Sequence, residues 1–470
     1  MRPIHLAIAL FGLILARPAS AFDGLDVLAR AQGLTSDDIG FIVIDPEDGR
    51  VIAEHAADRP VVPASVAKLP TAIAALALLG TEYRFNTELA LQGSTLVLVG
   101  GGDPLLTPED LKPAFRQLKD RRVRIERFLY DASALPEFPE IDAEQPENSS
   151  YNPGIGPLAL DFNRVLIDWK SGGRETMALA VSDGARLKAD GIRLLSAPAP
   201  VPAPYRFLSE GPDRWLLANL PAAGRAWLPV KRPALNAALV VRRLAEHEGV
   251  ALPVPVAGLR PAGARPVYVH ASPPLAEVVR RLLEHSNNMA AEMVGLATSR
   301  RLLGASPTDL VQSVEAVDAW LKSAAGDVDW TGFVRANHSG LSPTSRTTPR
   351  QMAGLVQRAL ALVPELPEIL PVRDIADADG GDGGEKGPTS LAVRAKTGTM
   401  AYARGLVGLL WTHSGRRVAF AVFTYDDVKR AAFDATLDRR LPEMPVAATA
   451  WIRHARVVER ELLRSWAAAY

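Results

Sequence analysis

From Ser65 to Leu79 the chain is rich in Ala and Leu on every side of a helical wheel, and Gly80 closes the run. A helix that is apolar all round must lie inside a protein, so this segment demands a layered fold built about it. Pro70 sits in its second turn without an N–H, which predicts an irregular start. Ahead of the helix, Phe41–Asp45 and Val51–Glu54 flank Pro46-Glu47-Asp48-Gly49 and read as a hairpin. Near the other end, strands are expected at Ala392–Thr399, Gly405–Thr412 and Arg417–Thr424, the last two joined by a Ser414-Gly415 turn. One sheet completed by both chain ends, with helices on both faces, satisfies all of these.

The middle of the chain has another texture. Over 84–261 short strand-like stretches (Thr95–Val99, Phe128–Tyr130, Trp215–Leu217) alternate with Pro and Gly turns, and Ser196–Pro204 reads as a stiff extended connector. This block is expected to be inserted β-rich material, leaving 22–83 and 262–470 as the main domain of an α/β (α+β) multidomain protein. Helical period returns at Leu275–Glu284 and again at Met289–Leu303. The closing helix, Ala447–Trp466, is amphipathic. Packing on the sheet is the expected use of its apolar stripe, which leaves at most a peripheral membrane contact.

Residues 1–21 read as a cleaved signal peptide: Arg2 and His5, an apolar run from Leu6 to Ala16, then Ala19-Ser20-Ala21. That predicts an exported, periplasmic protein beginning near Phe22. Losing Arg2 and Arg17 leaves 51 cationic against 53 acidic side chains, a net charge of −2. So even a balance gives no reason to expect nucleic acid as a partner. There is no cysteine, so an exported form would be held by its core alone, for which its length is ample.

Three short strings carry chemistry. Ser65 and Lys68 are three apart on a helix and share a face. A serine hydroxyl needs a base, and a lysine serves only when neutral, which burial and a second cation favour. Lys396 is the candidate second cation. Ser286-Asn287-Asn288 falls between two helices, where short polar residues ordinarily cap. At a loop tip in a cleft, Ser286 can pass a proton from Lys68 to a leaving amine while Asn288 orients a substrate amide. Lys396-Thr397-Gly398-Thr399 lies on a strand whose outer edge can pair with an extended substrate. Gly398 is expected to let that substrate come close, and Lys396, Thr397 and Thr399 to hold a terminal carboxylate. The N–H groups of Thr399 and Ser65 would form an oxyanion hole. Each string alone is common; each in its fitting context is not.

With these residues in place, the sequence resembles the class C, low-molecular-mass penicillin-binding proteins, the penicillin-binding protein 4-like D-alanyl-D-alanine carboxypeptidases/endopeptidases of peptidase family S13. The resemblance rests on Pro63–Leu69, Val99–Pro104, Leu158–Asn163, His285–Glu292, Ser339–Ser342 and Ala395–Thr399. It also rests on the spacing, 221 residues from Ser65 to Ser286 and 110 more to Lys396. It implies a DD-peptidase/serine β-lactamase-like transpeptidase domain, an antiparallel sheet flanked by helices, carrying two smaller β-rich domains, one nested in the other. It also implies catalytic roles for Ser65, Lys68, Ser286, Asn288 and Lys396, and substrate binding by Thr397, Gly398 and Thr399. The substrates would be peptidoglycan peptides, with β-lactams as covalent inhibitors and neither metal nor cofactor required. Three departures bear on peptide preference: Asn337-His338 before Ser-Gly-Leu-Ser, Pro343 where an Arg commonly follows it, and Glu140–Glu144 in place of a tryptophan-rich patch before Tyr151.

Two alternatives stay open, a β-lactamase of the same fold and a non-catalytic peptidoglycan-binding protein. Against the first, no Glu-x-x-x-Asn string occurs between Asn288 and Lys396. The acidic stretch Asp374, Asp377, Asp379, Asp382 and Glu385 does not match a calcium loop. No paired-histidine metal spacing and no Gly-x-Ser-x-Gly elbow is present.

Overall fold

The computed structural model describes residues 24–173, 175–182, 185–196, 205–209, 212–373, 392–437 and 444–470. The expected signal peptide, nearly all of the Ser196–Pro204 connector and the acidic stretch at 374–385 lie outside the described residues.

The sheet foreseen at the chain ends has six strands. Their order is Val372–Arg373, Val393–Met400, Ala403–Trp411, Arg417–Tyr425, Ile39–Ile44 and Val51–His55. Every neighbouring pair is antiparallel, and Ile39 opposite Thr424 joins the N-terminal strand Ile39–Ile44 to the C-terminal strand Arg417–Tyr425. Ala403–Trp411 and Arg417–Tyr425 are buried almost throughout, because both faces of the sheet are covered. One face packs on the closing helix, observed as Val446–Ala469, with Trp466 5.2 Å from the Phe41 ring and 6.0 Å from Phe420. Packing on the sheet is thus the use of that stripe, and no described helix is long and apolar enough to cross a membrane. The other face carries the buried helix Lys68–Leu79 together with Leu275–His285, Asn288–Leu303 and Pro349–Leu362.

The middle block builds three further sheets. Five strands, in the order Val256–Ala257, Arg127–Asp131, Thr95–Val99, Asn86–Gln92 and Arg265–Ala271, share a core with the helices Lys112–Asp120 and Pro233–His247. Sheets of four and three strands, drawn from 164–229, enclose a second core around Trp169 and Trp215. The stretch after 261, read from sequence as main-domain material, behaves differently: Arg265–Ala271 pairs with Asn86–Gln92. Residues 261–264 form a turn leading into that strand, closed by the Ala264 N–H on the Pro261 carbonyl at 2.9 Å. A small cluster of Leu135, Ile141, Ile155 and Ala159 with Met289, Met293 and Leu341 seats the segment on either side of Tyr151 against the main domain.

Candidate active site

The helix head is tighter than a plain α-helix. Ala64–Ala67 forms a 3-10 turn that runs into the α-helix at Lys68, as the missing N–H of Pro70 leads one to expect. Ser65 is half-buried and Lys68 fully buried. The Lys68 ammonium reaches Ser65 Oγ at 2.9 Å, Asn288 Oδ1 at 2.7 Å and the Ser339 carbonyl at 2.7 Å. Two glycines let neighbouring chains close on this turn. A Cβ at Gly340 would stand 1.9 Å from the Ala64 carbonyl oxygen, and one at Gly398 2.4 Å from that of Pro63. Gly398 therefore admits the nucleophile turn: its missing side chain faces the backbone of Pro63 and Val66.

The inter-helix loop divides its labour. Asn287 takes the capping role, its side chain accepting the Ala290 N–H at 2.9 Å. Ser286 ends the preceding helix in the left-handed region (φ 55°), a conformation a serine adopts only under tertiary constraint. Freed from capping, Ser286 Oγ accepts from Lys396 Nζ at 2.9 Å, and Asn288 donates to the Tyr151 carbonyl at 2.9 Å. Lys396 also donates to the Thr397 carbonyl at 2.7 Å. Among the described residues, the strand carrying Lys396 is paired on its outer side near its start, by Val372–Arg373. Thr399 lines a cleft of about 240 Å3 with Ser65, Asn288 and Gly340, while Thr397 is half-buried beside it. Arg404, opposite Thr399, donates to its hydroxyl at 2.8 Å and is itself clamped by Glu459 of the closing helix at 2.9 Å.

The cations are set apart electrostatically. Burial pushes the Lys68 amine down to about 7, with the Glu292 carboxylate pulling the other way. Lys396 is held well below the ordinary lysine range by burial, reinforced by Lys68, Arg373 and Arg404. Glu292 lies one helical turn beyond Asn288 and is wholly buried, accepting the N–H groups of His338 at 3.0 Å and Ser339 at 2.7 Å. Its grip aims the Ser339 carbonyl at Lys68. His338 is buried between Thr71 and Ser313, 2.9 Å from each, and Gly295 leaves room for its ring. Glu292, the Ser339 carbonyl and Arg404 were not singled out as site residues by sequence. The four-residue spacing from Asn288 to Glu292 was the available signal for the first. The structure brings Ser65, Lys68 and Asn288 into one hydrogen-bonded group and Ser286 with Lys396 into a second. Lys396 bonds Ser286 rather than Ser65.

A model of the D-Ala-D-Ala carboxypeptidase 3 (S13) family matches residues 23–441. The carboxypeptidase DacB of Mycolicibacterium smegmatis is 27% identical over 449 residues, covering 90% of this chain and 84% of that protein. A D-alanyl-D-alanine carboxypeptidase from an Actinomadura species is 28% identical over 382 residues, 73% and 68% of the two chains. In fold, the chain is similar to penicillin-binding protein 4 of Haemophilus influenzae, with a TM-score of 0.69 at 19% identity over 92% of this chain and 96% of that one. A complex of that protein with a β-lactam gives 0.67 at 20% identity over the same shares. A family match running through all three strings, on a fold that gathers them around one cleft, makes this chain a member of the D-Ala-D-Ala carboxypeptidase 3 (S13) family of serine peptidases.

Proposed function

We infer that this protein is an exported, periplasmic serine DD-peptidase. It cleaves the bond between two D-alanines of peptidoglycan stem peptides, and D,D cross-links, through an acyl-enzyme on Ser65. The observation that carries the reading is the Lys68 amine, 2.9 Å from Ser65 Oγ and pushed down to about 7 by burial. A base poised near neutral pH beside a hydroxyl is what acyl transfer needs.

In this scheme Lys68 takes the Ser65 proton as Oγ bonds to the substrate carbonyl carbon. The oxyanion sits on the N–H groups of Ser65 and Thr399. The proton then passes by way of Ser286 to the departing amine as the C–N bond breaks. Asn288 holds the substrate amide, and Lys396, Thr397 and Thr399 the terminal carboxylate. Water, deprotonated by the same base, attacks the ester and frees Ser65. Glu292 is wholly buried, holds two backbone N–H groups and does not line the cleft, which argues against it as a separate deacylating base. Penicillin should therefore acylate Ser65 and leave slowly.

Intact-mass measurement after incubation with penicillin tests this. A lasting adduct absent from Ser65→Ala supports the peptidase; rapid turnover without accumulation supports a β-lactamase; no adduct supports a non-catalytic peptidoglycan binder. N-terminal sequencing of the exported product tests cleavage near Ala21.

A further inference from the structure

Two cavities meet at the Ser286–Asn288 loop. The larger, already described, holds Ser65, Gly340 and Thr399. The second, about 140 Å3, is lined among others by Tyr151, Phe162, Arg164, His285 and Ser286. Tyr151 and Asn288 line both and form the wall between them, tied by the Asn288 side-chain N–H on the Tyr151 carbonyl. Ser65 faces only the first cavity and Ser286 only the second. Ser286 is the hydroxyl that serves the departing amine, so the second cavity lies on the leaving-group side.

Arg164 is the cation of this cavity, and it lies over two aromatic rings. Its guanidinium carbon stands 5.5 Å from the Phe162 ring centre and 5.4 Å from that of Trp227. Cation–π contact with both rings holds the guanidinium in place without consuming its donors. Its Nε is buried with no hydrogen-bond partner among the described residues. A guanidinium lining a cavity calls for an acceptor that its accessible donors can reach from that side. The acid nearest in sequence does not supply the answer. Asp161 is pushed up to about 7 by burial, with Glu109 adding to the shift and Arg164 opposing it, and its Oδ2 is likewise unpartnered. Asp161, Phe162 and Asn163 all occupy positive φ (50°, 58° and 51°), and this turn leads directly into the strand that carries Arg164.

We propose that Arg164, in cation–π contact with Phe162 and Trp227, is a subsite residue for a carboxylate on the amine-side strand of a cross-linked peptide substrate. A 140 Å3 cavity suits one acid-bearing side group rather than a whole peptide. The ligand class is an acidic peptide lying beyond the scissile bond. The inference rests on the cross-link-cleaving part of the function above, because a lone departing D-alanine carries only the carboxylate next to its amine.

The test uses the mature protein and two D,D-cross-linked peptide dimers. One has every carboxylate free; in the other, all amine-side carboxylates except that on the departing carbon are amidated. Wild type should cleave the acid dimer with kcat/KM at least about tenfold above the amide dimer, the scale of a charge-assisted hydrogen bond. The preference should collapse to near one in Arg164→Gln and persist in part in Arg164→Lys, with thermal melts verifying that both variants fold. A wild-type ratio of one, or a ratio that Arg164→Gln leaves intact, overturns the subsite. If wild type cleaves neither dimer, the cross-link reading falls by itself, and the same pair is measured by calorimetric binding to Ser65→Ala. There, an acid preference that Arg164→Gln abolishes sustains the subsite, and equal affinities or no binding overturn it.

Discussion

Lys68 is useful only while it is neutral, and its surroundings decide when that is. Burial brings its amine to about 7, so protonation silences the base as pH falls through that value. The rate of Ser65 acylation by penicillin should fall about tenfold per unit below pH 7 and level off above it, read by stopped-flow or mass kinetics. Glu292 opposes the burial of Lys68 by its charge and holds two backbone N–H groups. Glu292→Gln removes that charge and sets an amide donor against one of those N–H groups. The acid limb should move to lower pH, and denaturant melts should show a loss of about 1–3 kcal/mol for the unpaired donor. At this scale the sequence was explicit about Ser65, Lys68, Ser286, Asn288 and Lys396, because each belongs to a string in a fitting context. It was silent on the Ser339 carbonyl, since a backbone oxygen has no letter of its own, and on Arg164, whose meaning comes from two rings beside it.

Elements, rather than residues, set the precision of the site. The loop between Leu275–His285 and Asn288–Leu303 stays in place because Asn287 caps the second helix. Asn287→Ala should cost about 1 kcal/mol in a urea melt and slow acylation, since Ser286 and Asn288 ride on that cap. The strand Val393–Met400 lies against the 3-10 turn through Gly398, whose added Cβ would meet backbone that cannot rotate away. Gly398→Ala should therefore cost about 1–3 kcal/mol and push the strand off Ser65, lowering the acylation rate at least as far as the melt shifts. The main-domain strands and helices named from sequence were legible to within about three residues at either end, because their periods are strong. The direction of Gly398 was not, since a sequence cannot say which neighbour a missing side chain makes room for.

At the scale of the whole molecule, the closing helix seals one face of the six-stranded sheet and reaches the cleft through Glu459, Arg404 and Thr399. Trp466, packed on Phe41 and Phe420, anchors it. Trp466→Ala should cost about 3–5 kcal/mol, lower the melting temperature and leave penicillin acylation at low temperature largely intact. The paired hairpins, the buried helix and the order of the three strings follow from sequence alone, because apolar periodicity and turn chemistry are local properties that survive in one dimension. Tertiary structure alone decided that Lys396 bonds Ser286, that Arg265–Ala271 belongs to the middle sheet, and that a second cavity opens around Arg164. Each of these depends on which distant segments share a wall, and that is fixed by the packing of whole layers rather than by any run of neighbouring residues.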